Sequence, residues 1–143
     1  MRIAILDDWA GVALEAADWA RTGAEITCFT APIPEAERAE TLAPFEVLCL
    51  MRERMPLPAS LLEALPNLKL VVTTGARNLA IDLEAARRLG ITVSGTQSRK
   101  TTTAELTLAL LLAQLRALPT NAQALREGGF QVALGRDMAG LQL

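Results

Sequence analysis

The chain predicts an α/β fold, a doubly wound parallel sheet of five strands, and three observations lead there. Apolar runs rich in Ile, Val and Leu recur without strict alternation, as strands buried on both faces do. Helical patterns separate these runs, and such alternation sets strands parallel with helices on either side. Finally, 143 residues, 51% of them apolar and 21% charged, suffice for one well-buried core and argue against disorder.

The elements follow in order. "RIAIL" (2–6) reads as the first strand, and "VALEAADWARTG" (12–23) as a helix stopped by Gly23. "EITCF" (25–29) is the second strand, followed by a short helix over 34–42 with Pro34 in its first turn. "FEVLCL" (45–50), a helix over 58–65 and "LKLVVT" (68–73) continue the pattern. A helix over 81–90 ends at Gly90, and "ITVSG" (91–95) is the fifth strand. The expected strand order is 2-1-3-4-5, with residues 1–97 as one domain and 98–143 as a separate segment.

The second segment has a different character. "TTTAELTLALLLAQLRAL" (101–118) reads as a long helix halted by Pro119, with Thr101 or Thr102 as N-cap and Glu105 completing a capping box with Thr102. Residues 106–113 are apolar nearly all round apart from Thr107, so this helix needs cover on more than one side. "NAQALREG" (121–128) is a further helix. The closing "GLQL" reads as the approach to another strand, which leads us to expect a chain that is cut or continued elsewhere.

Composition narrows the function. With a net charge of -2, acids and bases interspersed and 3% aromatics, neither a nucleic-acid-binding face nor a base-stacking platform is expected. The most apolar stretch is shorter than a membrane span and carries Glu105, Gln114 and Arg116, so no membrane partner is expected. Cys28 and Cys49 fall inside predicted strands and read as buried thiols, in keeping with a cytoplasmic protein.

Parallel sheets bind ligands outside the carboxyl ends of their strands, which singles out Asp7-Asp8, Met51 to Arg54, Thr74 to Asn78 and Gly95 to Lys100. An acidic pair such as Asp7-Asp8 can hold a metal in phosphoacceptor domains. That chemistry also needs an acid after strand three and a lysine after strand five, where this chain has "LCLM" and "GTQS". Asp8 is better placed to cap the helix expected after it. Arg52 and Arg54 offer guanidinium forks that match a carboxylate, or else sit solvated at the surface. "TGARN" presents successive backbone N–H groups after a glycine, a shape that cradles anions and also occurs in plain connections. Arg52 on the neighbouring strand would face the same crevice. No histidine exists for acid–base work near neutrality, and the nine glycines include no Gly-x-Gly-x-x-Gly or Walker loop. No metal site is expected, and no catalytic residue can be named.

Two stretches, "LVVTTGARNLAIDLEAARRLGITVSGTQS" and "TTTAELTLALLLAQLRALP", together resemble the D-isomer-specific 2-hydroxyacid dehydrogenases. Those enzymes run strand, glycine-containing loop, N-x-x-(I/V)-D, then A-E-x-T-x-x-L-x-L opening a long helix. The likeness spans essentially the whole chain and is specific over 71–116, while "ILDDW" looks like one branch of the family. The resemblance implies a flavodoxin-like substrate domain over 1–97. It further implies that 98–143 supplies interdomain and dimerisation helices entering an NAD-binding Rossmann domain absent from this chain. The implied function is the N-terminal part of an oxidoreductase moving hydride between NAD or NADP and C2 of a 2-hydroxy or 2-oxo acid. The family's catalytic arginine, glutamate and histidine come later and are not carried over, so this part alone is expected to be inactive.

The resemblance implies that the loop Gly75, Ala76, Arg77, Asn78 binds the substrate carboxylate through backbone N–H groups, with Arg52 near the substrate edge. Thr103 would stand where the chain approaches the nicotinamide, and a homodimer through 101–129 is implied as well. Arg77 and Leu79 depart from the commoner G-V-G-x-D-N-I-D form. Arg77 therefore reads either as a contact for a second anionic group or as a solvated side chain. An autonomous small-anion-binding or oligomerisation module without catalysis is the alternative.

Overall fold

Five parallel strands lie in the order β2-β1-β3-β4-β5: β1 Arg2–Ile5, β2 Glu25–Cys28, β3 Val47–Leu50, β4 Leu70–Thr73 and β5 Thr92–Gly95. This computed structural model describes all residues except Ser98, Lys100 and Leu143. The expected sheet and its order are both present. Registers run Ile3↔Val47, Val47↔Leu70 and Leu70↔Thr92. The switch in strand direction of progress falls between β1 and β3, the place where α/β sheets open a crevice.

The chain divides into two compact units, Met1–Ser98 and Arg99–Leu143. In the first, helices α1 (Arg38–Leu42), α2 (Ala59–Glu63) and α3 (Leu83–Arg88) all contribute to one face of the sheet. Ala4, Leu6, Leu48, Leu50 and Val71 point into that face and meet Leu42, Leu61, Leu62, Ala85 and Ala86. Each fully buried leucine there contributes about 1.5–3 kcal/mol. Asp82 starts α3 by accepting the Ala85 N–H at 2.9 Å, a side-chain cap.

The opposite face carries Ile3, Ile5 and Val47, packed against Ala13 and Trp19. Here the helix expected over 12–23 is corrected. The segment folds as turns, with only Trp19–Thr22 forming a short 3₁₀ turn that ends at Gly23. One side chain caps the turn, and the other takes a carbonyl that a continuing helix would use. Asp8 accepts the N–H groups of Val12 at 3.2 Å and Ala13 at 3.0 Å. The Trp19 indole donates to the Ala13 carbonyl at 2.7 Å. Asp8 therefore caps a turn, not a helix.

The second unit holds α4 (Thr101–Leu115) and α5 (Leu118–Arg126). The long helix ends three residues earlier than its expected end at Leu118, at a break where Ala117 is left-handed with φ 51. Pro119 opens α5 instead of closing α4, because a first-turn proline gives up an N–H that has no helical partner anyway. Thr101 and Thr102 lie within the helix, so neither is the N-cap expected there. No helix among the described residues is long and apolar enough to cross a membrane.

Candidate functional site

At the carboxyl edge of the first unit, the ends of β3 and β4 are tied together by side chains. Arg52 follows β3 in a left-handed conformation, φ 52, which costs an arginine energy unless its surroundings hold it. Its N–H donates to the Thr74 hydroxyl at 3.0 Å, and its carbonyl accepts the Asn78 side-chain amide at 2.7 Å. The same amide nitrogen donates to the Thr73 hydroxyl at 3.0 Å, while Asn78 Oδ1 accepts the Ala80 N–H at 2.9 Å. Asn78 is buried, and it serves as a brace.

Gly75 begins the loop after β4 with φ 98, a conformation that suits only glycine well. A Cβ there would lie 3.1 Å from Nη1 and 3.3 Å from Cζ of Arg52, so the guanidinium packs across the bare Cα. The Gly75 N–H is already spent on the Thr96 hydroxyl at 2.9 Å. The next two amides, of Ala76 and Arg77, meet no acceptor among the described residues. Nor do the guanidinium groups of Arg52 and Arg77 form a hydrogen bond or ion pair there, whereas Arg2, Lys69, Arg87 and Arg88 each pair with a glutamate. Arg77 also lines an open cleft of about 310 Å³ with Thr73, Ala76, Asn78, Leu83 and Val93.

Arg52, Gly75, Ala76, Arg77 and Asn78 thus lie at one sheet edge, and Arg52 touches Gly75 directly. Thr103 belongs to the second unit, exposed in the first turn of α4, with its carbonyl accepting the Thr107 hydroxyl at 2.8 Å. Arg54 turns aside and stacks on Trp9, 5.8 Å from the ring centre. Thr74 and Thr96 fall inside the stretches singled out by sequence but without a role, and Thr73 lies outside them; the hydroxyls of all three set the loop. The "TTG" and "GT" pairs at the two strand ends are the signal that was available.

Two charges already in hand suit this edge to one ligand type. A carboxylate can accept from adjacent backbone N–H groups and from a guanidinium fork, which are charge-assisted bonds of the stronger kind. The thiols lie elsewhere. Cys28 and Cys49 flank Ile5 in register on either side of β1 and are half-buried, where full burial was expected. Two strand spacings, about 9.5 Å, exceed the reach of a disulfide. Burial raises both thiols above the ordinary 9.0, helped at Cys28 by the Asp8 carboxylate and at Cys49 by Cys28.

The profile of the D-isomer specific 2-hydroxyacid dehydrogenase catalytic domain matches residues 3–134. The chain belongs to that family of oxidoreductases. It is similar to a phosphoglycerate oxidoreductase from Vibrio cholerae, at 37% identity and TM-score 0.84 over 95% of this chain and 45% of that one. A D-lactate dehydrogenase from Escherichia coli shares the fold, with TM-score 0.81 at 22% identity over 98% of this chain and 46% of that one. A 2-ketogluconate reductase of Gluconobacter oxydans is 35% identical over 85 residues, 57% of this chain and 27% of the relative. The chain therefore spans less than half the length of these relatives.

Members of this family use NAD(P). Among the described residues there is no cradle for a dinucleotide. None of the strand-to-helix turns carries the Gly-x-Gly-x-x-Gly run that lets backbone approach a pyrophosphate, and Thr103 presents one exposed hydroxyl. The loop amides and the Arg52 fork match the bonding chemistry of a small carboxylate.

Proposed function

We propose that this chain is the substrate-holding part of an NAD(P)-dependent D-2-hydroxyacid dehydrogenase, acting on a small 2-hydroxy or 2-oxo acid. The observation that carries the reading is the pair of amides at Ala76 and Arg77, unengaged among the described residues, beside the guanidinium of Arg52, which has no ion pair among them. The substrate carboxylate sits on those amides, and Arg52 neutralises it. Holding one end of the acid orients C2 and saves the entropy of orientation during reaction. Hydride transfer and proton transfer need groups this chain lacks, including any histidine. The 143 residues alone are accordingly expected not to oxidise NADH with glyoxylate or hydroxypyruvate. Thr103 belongs to the nicotinamide side of the site in this proposal. Residues 101–129 form a homodimer contact, and the two free thiols suit a cytoplasmic setting.

Titrating the isotopically labelled chain with oxalate, an unreactive mimic of a 2-oxo acid, tests the reading. The Ala76 and Arg77 amide resonances should shift saturably, with smaller effects elsewhere. Unmoved resonances at both amides would overturn it.

A further inference from the structure

We propose that Thr96 is a positioning residue for the anion loop, an inference that rests on the reading just given. Thr96 follows β5 and makes two bonds to one glycine across the strand ends. Its hydroxyl accepts the Gly75 N–H at 2.9 Å, and its own N–H donates to the Gly75 carbonyl at 2.9 Å. These bonds lie just past the last paired residues of the β4–β5 ladder, Thr73↔Gly95, and outside its register.

The consequence follows from the planarity of the peptide unit. In a trans peptide the carbonyl of one residue and the N–H of the next lie in one plane and point opposite ways. Once Thr96 holds the Gly75 carbonyl, the Ala76 N–H is directed away from Thr96. The chain has no cis peptide among the described residues, so this constraint operates here. The hydroxyl bond acts alongside it. It consumes the Gly75 N–H, so the donors that remain open among the described residues begin at Ala76.

Gly95 makes the approach possible. A Cβ on Gly95 would fall 2.8 Å from the Gly75 carbonyl oxygen and 3.0 Å from that of Ala76, both backbone atoms. Any side chain there would push the loop off Thr96. "GT" at 95–96 is thus a matched pair, the glycine admitting the loop and the threonine fixing it.

Amide hydrogen exchange without ligand and oxalate titration together test the proposal, using Thr96→Val, Thr96→Ser and Gly95→Ala. Thr96→Val keeps the shape and the backbone N–H but removes the acceptor. The Gly75 amide should exchange about tenfold faster and oxalate should bind up to about tenfold more weakly, the worth of one hydrogen bond. Thr96→Ser restores the acceptor and should stay within about twofold of the parent on both measures. Gly95→Ala, with the hydroxyl intact, should weaken oxalate through displacement of the loop. Parent-like Gly75 exchange in Thr96→Val, or equal losses in the Ser and Val variants, would overturn the proposal. If Thr96→Val fails to fold, a parent-like oxalate affinity in Gly95→Ala overturns it instead. Absence of any oxalate response in the parent chain would sink the functional reading alone, because the exchange arm needs no ligand.

Discussion

The side chain of Asn78 holds the backbone of Arg52: its amide nitrogen donates to the Arg52 carbonyl at 2.7 Å across 26 residues of sequence. That bond joins the loop after β4 to the loop after β3, and the second bond of the same nitrogen to Thr73 fixes its direction. The residue expected to contribute a backbone N–H to substrate has a buried side chain that assembles the site.

Asn78→Ala should therefore lower stability more than a loop substitution usually does. It strips partners from the Arg52 carbonyl, the Thr73 hydroxyl and the Ala80 N–H. Leaving such groups unsatisfied costs about 1–3 kcal/mol, and each kcal/mol lowers the melting temperature of a unit this size by about 4–8 °C. A melting curve unchanged by the substitution would rule out the bracing role.

Arg52 should show stability and binding moving in opposite directions. Its left-handed backbone, φ 52, is one that glycine adopts without penalty. Arg52→Gly should leave thermal stability unchanged or raise it by up to about 1 kcal/mol. Oxalate affinity should fall by about tenfold or more, the worth of a bond to a charged group. Thermal melts and titration on the same sample give both numbers, and parent-like binding would remove Arg52 from the site.

Gly75→Val is expected to damage binding of the acid selectively. The added Cβ meets the Arg52 guanidinium at 3.1 Å, and φ 98 is a strained conformation for a branched residue, costing about 1–3 kcal/mol. In a dehydrogenase that carries this unit, oxo-acid affinity should drop while NADH affinity holds. Equal losses for both ligands would mean general misfolding.

Sheet order and the meeting of Arg52 with the glycine loop were legible because both follow from coarse patterns. Apolar runs mark strands, and neighbouring strands deliver their carboxyl ends to one edge. What stayed hidden was set by individual side chains. "VALEAADWARTG" has the local pattern of a helix, yet the Trp19 indole, six residues on, claims the Ala13 carbonyl that the next helical turn would need. The Thr96 bond to Gly75 spans 21 residues, and no local period announces such a pairing. The break at Ala117 has no local signal, because a proline after a helical run can stop one helix or start the next, and here it starts α5.

Cys28 and Cys49 should be poor nucleophiles in the folded chain and a source of alkaline instability. Desolvation favours the neutral thiol, so the folded state keeps its protons at a pH where the unfolded thiols have lost theirs. Stability from this source is complete below about 9 and falls as pH rises through the raised folded-state values. Urea midpoints measured from neutral pH upward should decline less steeply in a Cys28→Ser, Cys49→Ser double variant. Identical slopes would show that other groups control the alkaline limb.

The second unit makes the last prediction, which concerns self-association. No residue of α4 is buried, and Leu106 and Leu110 are 60% and 62% exposed, with Leu108 and Leu112 also open. Covering each leucine is worth about 1.5–3 kcal/mol, against a total stability of about 5–15 kcal/mol for an ordinary domain. Several open leucines on one helix therefore represent a driving force comparable with folding itself. Leu111, half-buried, lies between Leu110 and Leu112 in the chain, and Leu111→Glu puts there a carboxylate that resists burial without a partner. It should shift the protein toward monomer or aggregate in sedimentation at tens of micromolar, a range in which weak contacts still hold, roughly 6–8 kcal/mol of association. A parent chain that sediments as a monodisperse monomer under those conditions would refute the contact.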